Sequence, residues 1–452
     1  MKIALIAMSG IRVCDQELLK LGLTLPGFVE RSKVIAALPS LGLLTLAGMT
    51  PGEINVQYLE MADLKKMGEL PLDFDLVAIS TYSAQAMEAY ELARYFKQRK
   101  IPVVMGGLHV SALPEEALQH CDSVVVGEGE SSWLSCLKDF SRGRLQPMYD
   151  GRTQEFDLAQ APMPAFELLD ISKYNRLTVQ TSRGCPYQCN FCASSLLLTS
   201  AYKQKPAEKV LAEIDKIKTL WRRPFIEFAD DNSFVNKAYW KRLLPDLKKR
   251  KVRWFAETDI SCGEDEDLLD LMQESGCAEV LIGLESPVSD GLNGLELKSN
   301  WKWKHLKYAR ESIRRIQGHG IRVNGCFMIG LDGHGPGIFN EVFDFATELK
   351  LFDVQITFPT PFPGTPFYAK LKAEGRLLEE NAWNKCTLFD INFRPSDMEP
   401  EELRRGFMEL GSKLYSEDFA DWRKRSFEEM YPTFRESRLG FFLNFCRFKY
   451  QE

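Results

Sequence analysis

The stretch Ser182-Arg183-Gly184-Cys185-Pro186-Tyr187-Gln188-Cys189-Asn190-Phe191-Cys192 sets three cysteines within eight residues, spaced C-x3-C-x2-C. Thiolates are soft ligands that suit iron–sulfur clusters and zinc. Three of them on one loop can wrap one corner of a cubane cluster. The fourth iron then lacks a protein ligand, and a metal with an open position can bind a reactant. Gly184 and Pro186 suit a tight loop, and Tyr187 and Phe191 could shield a cluster from water. Two plainer readings stand beside this one: buried structural thiols, or part of a zinc site. Zinc normally takes a fourth protein ligand. None lies close in sequence, where the next cysteine is Cys262 and the nearest histidine is His120.

The elements around this loop follow from apolar periodicity. Runs at 2–8, 55–60, 76–80, 102–105 and 123–126 read as buried strands, with a helical pattern over 84–98. Alternating strands and helices imply a parallel, doubly wound sheet over residues 1–150, with ligands beyond the carboxyl ends of its strands. Those ends hold Ser80-Thr81-Tyr82-Ser83, Gly106-Gly107-Leu108-His109 and Gly127-Glu128-Gly129-Glu130. Residues 151–172, with Pro162 and Pro164, read as a linker. A second series has strands at 176–181, 225–229, 252–257, 278–283, 322–329 and 353–358, with helical patterns between them. Six such units over 173–360 predict a partial barrel with reactive groups at the carboxyl ends of its strands. Residues 361–452 read as loops and helices that cap the pocket.

Bulk properties narrow the class. A chain of 452 residues supports two or three domains. A net charge of −6 argues against a general nucleic-acid binder. The first residues do not read as a signal peptide, and no apolar run is long enough to span a bilayer. A cytoplasmic location is expected, where clustered cysteines are more often ligands than disulfides.

The cysteine triad, placed after the first strand of six α/β units, resembles the radical S-adenosylmethionine (SAM) superfamily over roughly residues 170–360. The resemblance implies that Cys185, Cys189 and Cys192 hold a [4Fe-4S] cluster and that SAM binds its open iron. Reductive cleavage would then give a 5′-deoxyadenosyl radical. It also implies SAM contacts from Phe191, from Asp230 and Asp231 after the second strand, from Glu285 to the ribose, and from Met328 beside adenine. The residues themselves leave plainer roles open: a helix cap for Asp230 and Asp231, an ion pair for Glu285, and close packing for the fifth-strand glycines.

The first 150 residues look like the cobalamin-binding class of this superfamily, through Leu38–Leu46, Gly106–Glu116 and Val126–Glu130. Pro361–Tyr368 and Glu374–Leu377 match a stretch common in the same class. The resemblance implies cobalamin contacts from Ser80, Thr81, Tyr82, Gly106, Gly107, His109, Gly127, Glu128 and Gly129. Gly106 and Gly107 would let backbone approach the cofactor closely. The D-x-H-x-x-G signature of some cobalamin domains is missing, and His109 lies on a different loop. A vestigial domain without corrinoid is the alternative.

The implied reaction is methylation of an unactivated carbon of a small molecule or lipid, by way of the deoxyadenosyl radical and methylcobalamin. A cyclase, rearrangement or oxidation without methyl transfer, and a non-catalytic cobalamin sensor or carrier, are the alternatives. An electron donor such as flavodoxin or ferredoxin is the expected partner, with no nucleic acid. The aromatic and basic tail, residues 438–450, could touch a membrane surface.

Overall fold

The structure, a computed structural model, describes residues 1–20, 38–66, 68–153, 155–199 and 201–430. The tail at 438–450, read as a possible membrane contact, lies outside the described residues.

Six parallel strands form the first sheet: β1 (Lys2–Met8), β2 (Asn55–Met61), β3 (Leu76–Ser80), β4 (Val103–Gly106), β5 (Ser123–Val126) and β6 (Met148–Asp150), in the order β2-β1-β3-β4-β5-β6. Alternate residues of a strand face opposite layers. Thus Ile3, Leu5 and Ala7 enter one apolar layer, and Ala4, Ile6 and Met8 the other. A sheet covered on both faces needs such continuous apolar runs. The strand order reverses between β1 and β3, which makes the crevice beyond their carboxyl ends the expected ligand position.

The second sheet takes β7 (Leu177–Val179), then, past the short antiparallel pair β8 (Ser182–Arg183) and β9 (Lys203–Gln204), β10 (Phe225–Phe228), β11 (Arg253–Thr258), β12 (Cys277–Glu285), β13 (Arg322–Met328) and β14 (Asp353–Thr357). Its order, β14-β13-β12-β11-β10-β7, is parallel throughout, an open (β/α)6 barrel. Leu177, Val179, Ile226, Phe228, Trp254, Ala256, Val280 and Ile282 pack outward against helices. The intervening positions include Thr178, Glu227, Glu257, Glu285, Asn324, Cys326 and Gln355, so period two lines the barrel interior with polar groups. Beyond β14 the chain is irregular, with helices Pro366–Ala373, Pro400–Leu414 and Glu417–Met430.

The described residues of 151–172 form only short 3-10 turns, but they are packed rather than free. Leu158 and Phe166 are buried, Phe166 joins the barrel core, and the Ala165 amide donates to the Leu44 carbonyl at 3.0 Å. Pro162 and Pro164 forbid a helix there without preventing burial. The cores also interlock. Val13, Leu18 and Leu44 sit in the barrel core, and Trp383 and Cys386 sit in a layer of the first sheet.

Candidate functional site

The cysteine loop leaves β8 at the carboxyl end of the barrel. Cys189 is buried, Cys185 and Cys192 are half-buried, and all three are free thiols. Two backbone turns shape the loop. Gly184 has φ +83°, and a side chain there would lie 2.5 Å from the Ala201 carbonyl oxygen. Gln188 also takes a left-handed φ of +49°. Neighbouring backbone fixes the rest. The Asn190 amide donates to Leu295 O at 2.8 Å, the Leu297 amide to Gln188 O at 3.1 Å, and the Phe367 amide to Asn190 O at 3.0 Å.

Among the described residues, no three His, Cys, Asp or Glu side chains converge on a point as ligands of a single ion do. A cubane presents its irons at separate corners, so its thiolates need not converge. Burial raises all three thiols, Cys185 to about 11. Such thiols become stable thiolates only beside a cation, which bound iron provides. Three soft donors on one braced loop therefore fit a cluster.

Asp230 and Asp231 hold this loop in place. Asp230 accepts the Thr181 amide at 2.7 Å, the Ser182 amide at 2.9 Å and the Thr181 hydroxyl at 2.6 Å. Burial pushes its pKa up to about 6 against those bonds. Asp231 accepts the Gly184 amide at 2.7 Å and the Ser194 hydroxyl, gripping both sides of the triad. Both carboxylates thus bond the segment that carries the cysteines, Asp230 just before it and Asp231 on either side of the triad.

Glu285 ends β12 in a left-handed conformation, φ +61°, next to a register shift between Gly283 and Glu285. A residue other than glycine in that region is strained and is often functional. Its carboxylate accepts from Lys302 Nζ at 2.9 Å, and Lys302 also donates to Gly283 O at 2.6 Å. The ion pair read as the plain alternative is present, and the charge of Lys302 bears on Cys189. Sequence reading missed Lys302, which sits 17 residues from Glu285 on the next helix. Phe191 and Met328 do come together, in an apolar cluster with Leu292, Leu295 and Leu331.

Inside the barrel, Glu257 is exposed to open space yet pushed up to about 8, by burial first and then by Glu227 and Asp231. Cys326 is half-buried, and burial holds its thiol well above the ordinary range. Groups that are accessible but enclosed line a cavity. Tyr82 behaves alike in the first domain: it keeps 52% of its surface open, while burial raises its phenol. It stands beside the β1/β3 crevice with Ser80 and Thr81. A side chain at Gly106 would meet only Val125, at 3.5 Å or more, so the fold itself does not demand glycine there. That open crevice fits a bulky cofactor.

The other residues expected at cobalamin have protein neighbours of their own. At Gly107, φ is +100° and a side chain would lie 2.6 Å from Thr81 O, so this glycine serves its own neighbouring strand. The Gly127 amide donates to Ser111 Oγ at 2.9 Å, and a side chain there would strike Arg152. Gly129 packs against Leu46. His109 is fully buried, with Nδ1 3.1 Å from Ser83 Oγ and Nε2 3.0 Å from Tyr90 OH, so neither ring nitrogen is left for a cofactor. Glu128 is committed to Arg183 at 2.7 Å and to Lys203, and Glu130 binds Arg183 at 2.8 Å. Arg183 stands two residues before Cys185, so these pairs tie the loop after β5 directly to the cysteine loop.

Comparison with known proteins agrees with this arrangement. The description "B12 binding domain" matches residues 32–135, and "Radical SAM superfamily" matches residues 179–346. The chain is a cobalamin-binding-domain radical SAM enzyme. Such an enzyme uses a [4Fe-4S] cluster, SAM and cobalamin. A domain of unknown function, DUF4070, matches residues 365–448 of the radical SAM enzyme. Bacteriochlorophyllide d C-12(1)-methyltransferase of Chlorobaculum tepidum is 27% identical, over 83% of this chain and 82% of its own. Hopanoid C-2 methylase of Rhodopseudomonas palustris is also 27% identical, over 77% and 67%. The radical SAM methyltransferase TsrM of Kitasatospora setae shares the fold, with a TM-score of 0.63 at 16% identity, over 82% of this chain and 76% of that one. No described helix is long and apolar enough to cross a membrane.

Proposed function

We propose that the enzyme methylates an unactivated carbon of a small molecule or lipid. The observation that carries this reading is the clamp of Arg183 on Glu128 and Glu130, which fixes the first domain, through the loop after β5, to the cysteine loop. Two cofactors that must act on one substrate have to be held in fixed relation, because orientation supplies much of the rate. When bound, the cluster reductively splits SAM into a carbon radical and cobalamin supplies the methyl group; the protein's task is positioning.

In this reading Cys185, Cys189 and Cys192 would hold the cluster that binds and cleaves SAM. Asp230 and Asp231 fix the loop that presents those thiolates. Glu285 accepts the ribose hydroxyls, with Lys302 holding its carboxylate in place. Phe191 and Met328 wall the adenine side and exclude water, which protects a radical from quenching. Ser80, Thr81, Tyr82 and Gly106 border the corrinoid. Glu257 and Cys326, on the inner face of the barrel, would line the substrate cavity. A reductant in the cytoplasm supplies the electron. Residues 1–150 serve as the cobalamin unit, 173–360 as the SAM unit and 361–452 as the substrate cap.

Anaerobic reconstitution with iron, sulfide and cobalamin tests the reading. With SAM labelled in its methyl group, candidate substrates should yield labelled product and 5′-deoxyadenosine. Cys185→Ala, Cys189→Ala and Cys192→Ala should each abolish both. Deoxyadenosine without label in any product would leave a radical enzyme and remove methyl transfer. Full turnover by a triad variant would remove the cluster assignment.

A further inference from the structure

The helix Trp301–Gly318 carries Lys302, Lys304, Lys307, Arg310, Arg314 and Arg315 against one acid, Glu311, in a chain whose net charge is −6. Lys302 is turned inward to Glu285. Arg310 and Arg314 pair with Glu348, and Arg315 pairs with Glu311. Lys304 and Lys307 join no ion pair among the described residues. Residues three and four apart share a helix face, so Trp303 and Lys307, and Lys304 and Tyr308, form adjacent rows. Trp303 is 46% exposed and Tyr308 47%. Lys307 Nζ rests over the Tyr308 ring, 4.7 Å from its centre, and large exposed rings beside cations that hold no carboxylate mark an interaction surface. The helix Lys237–Arg250 is similarly basic, but its rings Tyr239 and Trp240 are buried.

This face is built onto the cysteine loop. Glu296 pairs with Cys189 in an antiparallel bridge, and its carboxylate accepts the amides of Trp301 and Lys302, capping the helix. The next residue, Leu297, donates its amide to Gln188 O and leaves its side chain 48% exposed. Tyr187, between the first two cysteines, stacks on Trp301 at 4.8 Å, and Trp301 stacks on His305 at 4.2 Å. A protein seated on Leu297, Trp303, Lys304, Lys307 and Tyr308 therefore rests against the scaffold of the loop.

We propose that this face docks a small acidic electron-carrier protein that reduces the cluster, an inference that rests on the function proposed above. The carrier gives up one electron and the oxidised cluster takes it; no proton or group moves with it. Opposite charge speeds encounter and fixes orientation, and the exposed rings supply the apolar centre.

The test compares the reconstituted enzyme with its Lys304→Glu/Lys307→Glu variant, using flavodoxin as the probe. The wild type should bind oxidised flavodoxin with an affinity that falls steeply as salt is added. The variant should bind it about tenfold more weakly or worse. Deoxyadenosine formation driven by reduced flavodoxin should slow in step, while formation driven by dithionite stays at the wild-type rate. Equal flavodoxin affinity in both proteins overturns the proposal. So does an equal loss with dithionite, which would make these lysines part of the SAM site. If the wild type cleaves no SAM even with dithionite, the function proposed above fails, and the affinity measurement alone decides the docking face.

Discussion

Replacing Arg183 by Met puts the junction of the two domains under direct test. Arg183 holds Glu128 at 2.7 Å and Glu130 at 2.8 Å, and both carboxylates are buried. Glu128 keeps Lys203 after the change, whereas Glu130 loses the partner that bonds it. Breaking a buried pair costs about 3–5 kcal/mol, and the surviving lysine favours the lower end, about 3 kcal/mol. Burial by itself would raise Glu130, and the charge and hydrogen bond of Arg183, with a backbone hydrogen bond and the charge of Lys205, hold the group below its ordinary value. In the wild type this stabilisation is present above the ordinary carboxylate range and is lost as pH falls through the lowered value. In the variant only Lys205 and a backbone hydrogen bond remain to oppose burial, so the group moves upward and the stabilisation it contributes at higher pH shrinks. Both changes make the penalty shrink on acidification. Adding Glu130→Gln should recover most of the loss, to within about 1 kcal/mol. Urea unfolding of the anaerobic apoprotein at pH 7 and pH 5, read at the first transition, measures all three proteins. A variant within about 0.5 kcal/mol of wild type at pH 7 would refute the reasoning, as would a penalty unchanged at pH 5.

Three further outcomes are expected. Gly107→Ala forces a side chain against the Thr81 backbone at φ +100°, and it should cost about 2–4 kcal/mol; Gly106→Ala, meeting only ordinary contacts, should leave thermal stability near wild type and lower the corrinoid content after reconstitution. Gly283→Ala puts a methyl group 2.8 Å from Glu285 Oε1 and 3.3 Å from Lys302 Nζ; because those are side-chain ends, the protein should fold normally and bind SAM several-fold more weakly by calorimetry. Glu279 is buried and raised to about 8, by burial first and against the pull of Arg322, so stability should fall as pH rises from about 4.5 to about 8; Glu279→Gln should flatten that dependence, gaining on the order of a few kcal/mol at pH 8.5, and thermal melts across this range check it.

The order of elements was legible because both sheets are parallel and buried. Leu76–Ser80 and Ser123–Val126 stand out as continuous apolar runs, and both are strands at those limits. β6 escaped notice: it has three residues, with one buried position between two half-buried ones, too short for a periodic signal. The cysteine loop could be read from spacing alone, since its ligands are contiguous. The residues that brace it were less accessible. Asp230 and Asp231 were noticed as strand-end carboxylates, but sequence cannot tell a carboxylate that receives backbone amides from one that receives a ligand. Glu128 has its partners 55 and 75 residues away, and His109 has Tyr90 and Glu116 on neighbouring segments. A polar residue at the end of a strand announces that something will bond it and leaves open whether that is cofactor or protein. Glu257 and Cys326 were legible in principle, since each alternates with outward-facing apolar residues along its strand.

The shared cores have a practical consequence for anyone dissecting the gene. Cutting near residue 150 would strip the barrel of Val13, Leu18 and Leu44, and would strip the first sheet of Trp383 and Cys386. Each fragment would then present a fresh greasy scar matching the one on its counterpart. Expressed alone the halves should aggregate or be degraded, and expressed together they should find each other and rebuild the whole.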